Sequence, residues 1–359
     1  MTSTGQNRAT WHRNQAHRVR LVSPGDLTYV LASLFLSSMQ LLPPSRRVWL
    51  INGISKFLGR LLHAVNVHST ETIRQNLNTV LASGRPIDSV EADLLKLLSL
   101  IVWNALTINS LPVLPREEIA NLVPIDGTSC LDGYLDDGHP VLIWSYHFGV
   151  HPLIVAAMLH ARGYPLHAVT HIRQMPVAAS AFQRRYLRRL NRISNQFPVI
   201  DPREGVKRDM LDVLKNKECL YVTPDYMIPE EENPSTSAFV VPIDFLGRRA
   251  WLHAGGLRLP KRLKAKIATV LSTQDNRGVQ RLIVEPFELP TPGLTPVELQ
   301  RDLQMCMRRL EAQVLAHPYL WWDLKRDDLV ERLTAPPQDK PKREIRKDRD
   351  ENQSSSYHK

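Results

Sequence analysis

Short apolar runs alternate with amphipathic stretches from residue 141 onward, and this alternation restricts the fold more than any other feature of the sequence. The apolar runs have strand length, whereas the stretches between them repeat apolar residues at helical spacing. We predict strands at 141–146, 166–170, 219–223, 267–272 and 281–286. We predict helices at 153–160, 181–193, 210–215 and 296–315. This alternation is typical of an α/β fold with a mixed, mainly parallel sheet covered by helices.

The region before this alternation is predicted to be helical. Residues 27–42 are apolar, but a helix of this length spans roughly 24 Å, less than a hydrocarbon core of about 30 Å, so we expect no membrane-spanning helix there. Residues 46–65 also repeat apolar side chains at helical spacing. Two compatible interpretations stay open: this helix packs on the domain, or both helices lie in an anionic membrane surface. Between 68 and 122 the spacing is again helical, and dense apolar positions at 94–103 indicate a buried helix.

The basic residues of the chain are concentrated locally. The formal net charge is +10, from 46 Lys and Arg against 36 Asp and Glu, and residues 1–20, 173–192 and 258–266 contain bases without acids. These stretches are either solvated faces or contact surfaces for an acidic protein, a phosphorylated ligand or anionic lipid headgroups. No helix-turn-helix, zinc finger or aromatic-basic RNA motif accompanies the charge, so we expect no nucleic-acid partner.

Composition divides the chain into four parts. Residues 1–20 are a basic polar tail without the apolar core of a secretory signal, and 21–66 are predicted to be a membrane-associated helical segment. Residues 67–333 form the α/β domain, and 334–359 a charged tail that we expect to be disordered. The cysteines are too widely spaced for a disulfide framework or a structural zinc site, which indicates a reducing compartment.

His147 is the most informative candidate residue. It follows a predicted strand, Gly149 permits a sharp turn, and Pro152 suits the first turn of a helix. Ligand crevices of open α/β sheets lie at this end of the strands, and a histidine there can accept a proton from a hydroxyl. The alternative is a histidine that only satisfies backbone hydrogen bonds. His151 lies four residues later, but the intervening glycine and the following proline disturb the helical spacing of paired metal ligands, so we expect no metal site.

The motif around His147 resembles the His-Phe-Gly-Asn-Trp-Glu signature of the bacterial lipid A biosynthesis acyltransferases, within the wider lysophospholipid acyltransferase-like superfamily. Other segments are similar to the family's and follow in the same order. They are Arg74-Gln-Asn-Leu77, Arg173, the strand from Cys219 to Asp225, Phe245-Leu-Gly-Arg248 with Gly255-Gly256, and Pro318-Tyr-Leu-Trp-Trp322. The resemblance extends over about 25–326 and makes residues 67–333 an acyltransferase-like domain.

The resemblance implies transfer of a fatty acyl group from an acyl carrier protein or coenzyme A thioester to a hydroxyl or amine of a lipid or glycolipid. His147 would be the general base, and backbone N–H groups near Gly149 and His151 would hold the oxyanion. The other substrate-binding candidates are Arg173, Asp225, Gly247 and Arg248. No metal or organic cofactor is implied besides the thioester co-substrate. The expected location is the cytoplasmic face of a bacterial inner membrane, as a peripheral or monotopic protein.

One position departs from the family's pattern. The family's acid lies five positions after its histidine, where this chain has Pro152. Either another carboxylate holds the imidazole, for which the candidates are Asp225, Glu204 and Asp201, or His147 acts alone, or catalysis is lost. The alternative functions are therefore a catalytically inactive, lipid-binding scaffold of the same fold and, less favoured, a thioesterase that uses water as the acceptor.

Overall fold

A computed structural model describes residues 42–65, 68–80, 87–170, 196–201, 206–227, 240–275 and 279–333. The helices of these residues are α1 (Pro44–Val65), α2 (His68–Val80), α3 (Ile87–Ser110), α4 (Arg116–Ala120), α5 (Ser129–Asp136), α6 (Pro152–Ala161), α7 (Val206–Lys215), α8 (Gly255–Arg262), α9 (Pro296–Ala316) and α10 (Leu329–Arg332). The strands are β1 (Ile125–Asp126), β2 (Val141–Ser145), β3 (Leu166–Val169), β4 (Val199–Ile200), β5 (Cys219–Val222), β6 (Val240–Phe245), β7 (Arg248–His253), β8 (Lys266–Gln274) and β9 (Gln280–Pro286). Short 3-10 helices span Leu111–Val113, Pro318–Leu320 and Trp322–Lys325.

Seven of these strands form one sheet, in the order β1-β9-β8-β2-β5-β3-β4. The neighbouring strands are parallel except for β8 and β9, which are antiparallel. Every residue of the central strand β2 is buried, as expected for a parallel strand covered on both faces. The predicted α/β class, with a mixed, mainly parallel sheet and helices, is confirmed.

The strands predicted from short apolar runs are all present, with ends shifted by one or two residues. Two elements of the sheet, β1 and β4, were not predicted because each pairs over only two residues, too few for a pattern. The separate antiparallel hairpin of β6 and β7 was not predicted either. Its turn is Leu246-Gly247, and both residues have a positive φ, which matches the right-handed twist of a hairpin.

Helix α3 is the buried helix that the dense apolar positions indicated. Within the described residues it is the one helix long and apolar enough to cross a membrane, as the segment Asp88–Val113, but 67% of the apolar window is buried against the rest of the protein. Leu94, Leu97 and Leu111 are completely enclosed. The segment therefore serves as a core helix in this fold, where apolar burial stabilises it.

Helix α1 packs on α3, and its outward face remains apolar. Ile51 is buried, and the Trp103 Nε1–H group donates a 2.8 Å hydrogen bond to Asn52 Oδ1. The side chains of Trp49, Phe57, Leu61 and Val65 are exposed. The interpretation of 46–65 as a helix packed on the domain is confirmed, and its interpretation as a membrane-surface helix stays a prediction.

Several predictions fall outside the described residues. They are the tail 1–20, the apolar stretch 27–41, Arg173, the helix 181–193, Glu204 and the tail 334–359.

Candidate active site

Two adjacent parallel strands place His147 and Asp225 at the same level. The register of β2 and β5 pairs Trp144 with Val222, and each of the two functional residues lies three positions beyond its partner of that pair. Because the strands are parallel and hydrogen-bonded, their carboxyl ends open at the same edge of the sheet, where ligand crevices of open α/β sheets lie.

Asp225 binds His147 through both carboxylate oxygens. The His147 backbone N–H donates to Oδ2 at 2.6 Å, and His147 Nδ1 lies 3.0 Å from Oδ1. An ionised carboxylate can only accept hydrogen bonds, so Nδ1 carries the ring proton and Nε2 presents a lone pair. This is the tautomer that a general base requires.

Burial and charge act on His147 in opposite directions. Burial alone lowers the pKa of the imidazole, but the Asp225 carboxylate and its hydrogen bond, with a smaller contribution from Asp323, outweigh it, and the pKa is raised. The His147 side chain is 34% exposed, whereas that of Asp225 is 0% exposed. In this pair the acid, Asp225, is inaccessible to solvent, whereas the base, His147, is accessible.

Of the two candidate carboxylates that the structure describes, Asp225 and Asp201, Asp225 is the one that contacts the imidazole. Asp201 follows β4, which β5 and β3 separate from β2. Glu204 lies outside the described residues. Pro152 begins α6 and is buried.

The loop that carries His147 is held by three distant parts of the chain. The Gly149 carbonyl accepts from Asn104 Nδ2 at 3.0 Å and from Trp322 Nε1 at 2.9 Å, while its N–H donates to the Leu320 carbonyl at 2.6 Å. The Val150 N–H donates to Ser272 Oγ at 2.9 Å. Helix α3, strand β8 and the segment after α9 thus fix the loop that follows β2.

Gly149 is required by both its backbone conformation and its surroundings. Its φ is +66°, and a Cβ atom there would lie 2.3 Å from the Ser272 Cβ. Other residues rarely adopt this backbone region, and two carbon atoms cannot approach so closely. The sharp turn predicted at this glycine is therefore what the structure contains.

Two of the amides expected to hold an oxyanion, those of Gly149 and His151, have acceptors inside the protein, and the prediction of an oxyanion site near them stays untested. The Gly149 N–H is bound to the Leu320 carbonyl, and the His151 N–H donates to Asn104 Oδ1 at 2.7 Å. The next amides of α6, those of Leu153 and Ile154, are bound to His151 Nδ1 and to the His151 carbonyl. A donor already satisfied inside the protein cannot be aimed at a developing charge.

The His151 ring lies beside the His147 ring. It caps α6 by accepting from the Leu153 N–H at 3.1 Å, and its centroid is 6.2 Å from that of His147 and 5.1 Å from that of Trp322. A neutral imidazole whose Nδ1 accepts a hydrogen bond carries its proton on Nε2. His147 precedes α6 and His151 is its N-cap, so they do not share a helix face as paired metal ligands would. Among the residues described, no group of three or more His, Cys, Asp or Glu side chains could hold a metal ion.

Gly247 and Arg248 lie in the hairpin of β6 and β7. Gly247 has a φ of +69° in the turn. The Arg248 guanidinium donates to the carbonyls of Leu333, at 3.4 Å, and Thr79, at 3.3 Å. These contacts give both residues a structural role, and their predicted substrate contacts stay untested.

Sequence reasoning missed Asn104, Ser272, Trp322 and Asp323 as parts of the site. Asn104 lies in a helix predicted to be buried, and a fully enclosed amide needs partners, so its polarity was the available signal. Trp322 was noticed within a motif, but its position beside Gly149 depends on a contact across 173 positions of sequence, which local patterns do not encode.

Comparisons with known proteins agree with this site. The model of the family described as bacterial lipid A biosynthesis acyltransferase matches residues 18–326, which include the sheet, the His147 loop and the Trp322 segment. No curated protein matches the chain. The chain belongs to the bacterial lipid A biosynthesis acyltransferase family.

Proposed function

We propose that this protein transfers a fatty acyl group from an acyl thioester, on a carrier protein or coenzyme A, to a hydroxyl or amine of a lipid or glycolipid. The observation that carries the proposal is the His147–Asp225 pair, with Nδ1 and the carboxylate 3.0 Å apart at the open edge of the sheet. Family membership supports the acyltransferase class. The thioester is a co-substrate, and the proposal includes no metal or organic cofactor.

His147 Nε2 removes the proton from the acceptor hydroxyl or amine as the acceptor atom attacks the thioester carbonyl carbon. The new bond to that carbon forms a tetrahedral oxyanion, and Asp225 stabilises the imidazolium. Collapse of the oxyanion breaks the carbon–sulfur bond, and the leaving thiolate takes the proton back from Nε2. The products are an acylated acceptor and a free thiol, and His147 returns to its starting state.

The His151 ring is our candidate for stabilising the oxyanion. Its Nδ1 accepts from the Leu153 N–H, which places its proton on Nε2, and its ring lies edge-on to that of His147. We expect His151→Asn, which keeps an N-cap side chain, to lower kcat by about 10²-fold with little loss of stability. Rate measurements together with thermal melts check this, and a near-normal kcat would remove His151 from the mechanism.

We further propose that Arg173 binds a phosphate of a substrate.

Transfer of labelled acyl groups tests the function. Wild type and His147→Ala are incubated with acyl carrier protein and coenzyme A thioesters, with and without a glycolipid acceptor. The proposal predicts a labelled lipid product that wild type makes and His147→Ala makes at least about 10²-fold more slowly. Equal turnover of the two proteins contradicts the role of His147. Release of free fatty acid without an acceptor identifies a thioesterase instead.

The inactive scaffold is the other candidate, and Pro152 is the feature that favours it. Asp225 weakens the argument from Pro152, because the imidazole has a carboxylate partner from another strand. Retained binding of acyl lipid without any product would establish the scaffold.

We also propose that the outward face of α1 lies on an anionic membrane surface, which would make the protein peripheral or monotopic at the cytoplasmic face of the inner membrane. Exposed aromatic and aliphatic side chains share this helix with the exposed bases Arg46, Lys56 and Arg60, and the helix contains no Asp or Glu. Apolar side chains enter the boundary of headgroups and acyl chains, while cations pair with anionic headgroups.

A matched pair of substitutions tests this surface. Phe57 on α1 and Val297 on α9 are equally exposed, at 65% and 66%. We expect Phe57→Ser to weaken binding to vesicles that contain anionic phospholipid by about tenfold, and Val297→Ser to leave it unchanged. Equal effects of the two substitutions would contradict the assignment of the surface to α1.

A further inference from the structure

The segment after α9 runs beside the His147 loop and carries a second carboxylate, that of Asp323. The Trp322 N–H donates to the His147 carbonyl at 3.0 Å, and Phe148 forms an antiparallel bridge with Trp321. Asp323 is the next residue, inside the 3-10 helix Trp322–Lys325, with its side chain only 15% exposed. Its Oδ1 lies 3.8 Å from Arg326 Nη1, too far for a strong hydrogen bond to neutralise the carboxylate.

The charged groups around His147 and Asp323 interact electrostatically with one another. His147 interacts with Asp225, Asp323 and Lys325, and the His151 ring lies beside it. Asp323 interacts with Asp225, His147, Arg326 and Lys325. Burial and then the Asp225 carboxylate raise the pKa of Asp323 to about 6, against the opposing effects of the cations. Asp323 and His147 therefore influence each other's protonation.

We propose that Asp323 is a positioning residue of the active site, whose negative charge acts through His147 by stabilising the imidazolium that forms when the acceptor is deprotonated. This inference rests on the proposed function. Asp225 orients the ring by direct hydrogen bonds, whereas Asp323 adds charge without fixing the tautomer. The two carboxylates come from different segments of the chain, and in this proposal they together take the place of the single acid that Pro152 replaces.

The proposal predicts a specific effect of pH. An ionised Asp323 makes His147 a stronger base, so its removal lowers the pKa of the imidazole. In Asp323→Asn the acid limb of kcat/KM then moves to lower pH by about 0.5–1 unit, because the base stays deprotonated at lower pH. The maximal kcat falls by about two- to tenfold, because a weaker base removes the proton more slowly.

Two readouts separate this proposal from the proposed function. The first is the pH profile of acyl transfer by wild type and Asp323→Asn. The second is an NMR titration of the His147 ring in the full-length proteins, which needs no activity. Asp327→Asn is the matched control, because it removes the same charge from the same segment at a carboxylate that accepts from Thr72 Oγ1.

We expect the imidazole pKa to drop in Asp323→Asn and to stay within about 0.2 unit of wild type in Asp327→Asn. Equal shifts in the two variants, or none in Asp323→Asn, would overturn the proposal. If wild type transfers no acyl group but the NMR shift is specific, the proposed function fails and the electrostatic coupling stands. Thermal melts at pH 8 check folding, and Asp323→Asn should melt no lower than wild type because it loses a charge that burial disfavours.

Discussion

At the scale of single residues, the His147–Asp225 pair depends on strand register. Its two members follow adjacent parallel strands, and each lies three positions beyond one member of the pair Trp144 and Val222, so hydrogen bonding of the sheet brings them together. Asp225 was named from the sequence as one of three candidate carboxylates, and it ends a segment that is similar to the family's strand ending in Asp. Choosing it over Asp201 needed the strand order, and that order depends on pairings between distant segments.

Gly149 gives the sharpest stability prediction at this scale. We expect Gly149→Ala to lower the free energy of unfolding by about 2–4 kcal/mol, because the alanine is strained at φ +66° and its Cβ collides with Ser272. Gly247→Ala is the control, since that glycine has a φ of +69° and open space around it. It should cost about 1–2 kcal/mol from backbone strain alone. Urea unfolding measures both, and equal losses would show that the Ser272 contact is unimportant.

At the scale of elements, strands and helices with clear periodicity were predictable, and the supports of the active-site loop were not. The buried α3 was indicated by its apolar density, yet its role in holding the loop comes from one amide, Asn104. The hairpin of β6 and β7 carried a usable signal: Val241, Ile243 and Phe245 alternate inward before the Leu246-Gly247 turn. Its contact with α9, where Gln304 and Glu311 accept from backbone N–H groups of the hairpin, could not be predicted.

Asn104 connects α3 to the start of α6, and its removal should affect both stability and rate. In Asn104→Ala the His151 N–H loses its acceptor, and the Gly149 carbonyl loses one side-chain donor and keeps that of Trp322. We expect a loss of about 2–3 kcal/mol in unfolding free energy and about a tenfold lower kcat. Ser110→Ala is the comparison, as it deletes a buried hydrogen bond within the same helix, to the Leu106 carbonyl. If Ser110→Ala lowered kcat as much as Asn104→Ala does, Asn104 would have no specific role in the active site.

The residues around α10 should make the stability of the fold depend on pH in the acidic range. A hydrogen bond from Arg332 lowers the pKa of Asp328 most, Arg326 adds to this against the effect of burial, and the folded-state pKa is about 2. Because the pKa of Asp328 is lower in the folded than in the unfolded state, its carboxylate stabilises the fold above about pH 4. This contribution is lost as pH falls through about 2. Asp328→Asn should therefore melt below wild type at pH 6, and the difference should vanish near pH 2. Glu331→Gln, at an exposed position of the same helix, should melt like wild type throughout, and a constant deficit in Asp328→Asn would refute the linkage.

At the scale of the whole molecule, the C-terminal segment of the domain is hydrogen-bonded to helix α2 near its N-terminal end. Asn76 of α2 donates to the carbonyls of Leu324 and Arg326, at 2.9 and 2.8 Å, and Thr72 donates to Asp327. Trp321 of this segment is completely buried, and its ring centroid lies 5.6 Å from that of Phe245. The fold class followed from the sequence alone, but this closure could not, because it joins residues about 250 positions apart.

Two truncations test that closure. A chain ending at residue 333 should keep the melting temperature and activity of the full chain, because the sequence after it has too few apolar residues to form a core. A chain ending at residue 317 should fail to fold, since it loses Trp321, Trp322 and Leu324 from the interior. Circular dichroism and soluble yield measure this, and a cooperative melt of the shorter chain would contradict the description.

The most direct test of the central claim is a double-mutant cycle on acyl transfer with His147→Ala, Asp225→Asn and the combined variant. Asparagine offers its N–H₂ group to Nδ1, moves the ring proton to Nε2 and removes the base, so Asp225→Asn should lower kcat by about 10²–10⁴-fold. If the two residues act as one unit, adding Asp225→Asn to His147→Ala costs less than about twofold. Fully additive losses, or a near-normal kcat in either single variant, would contradict the account.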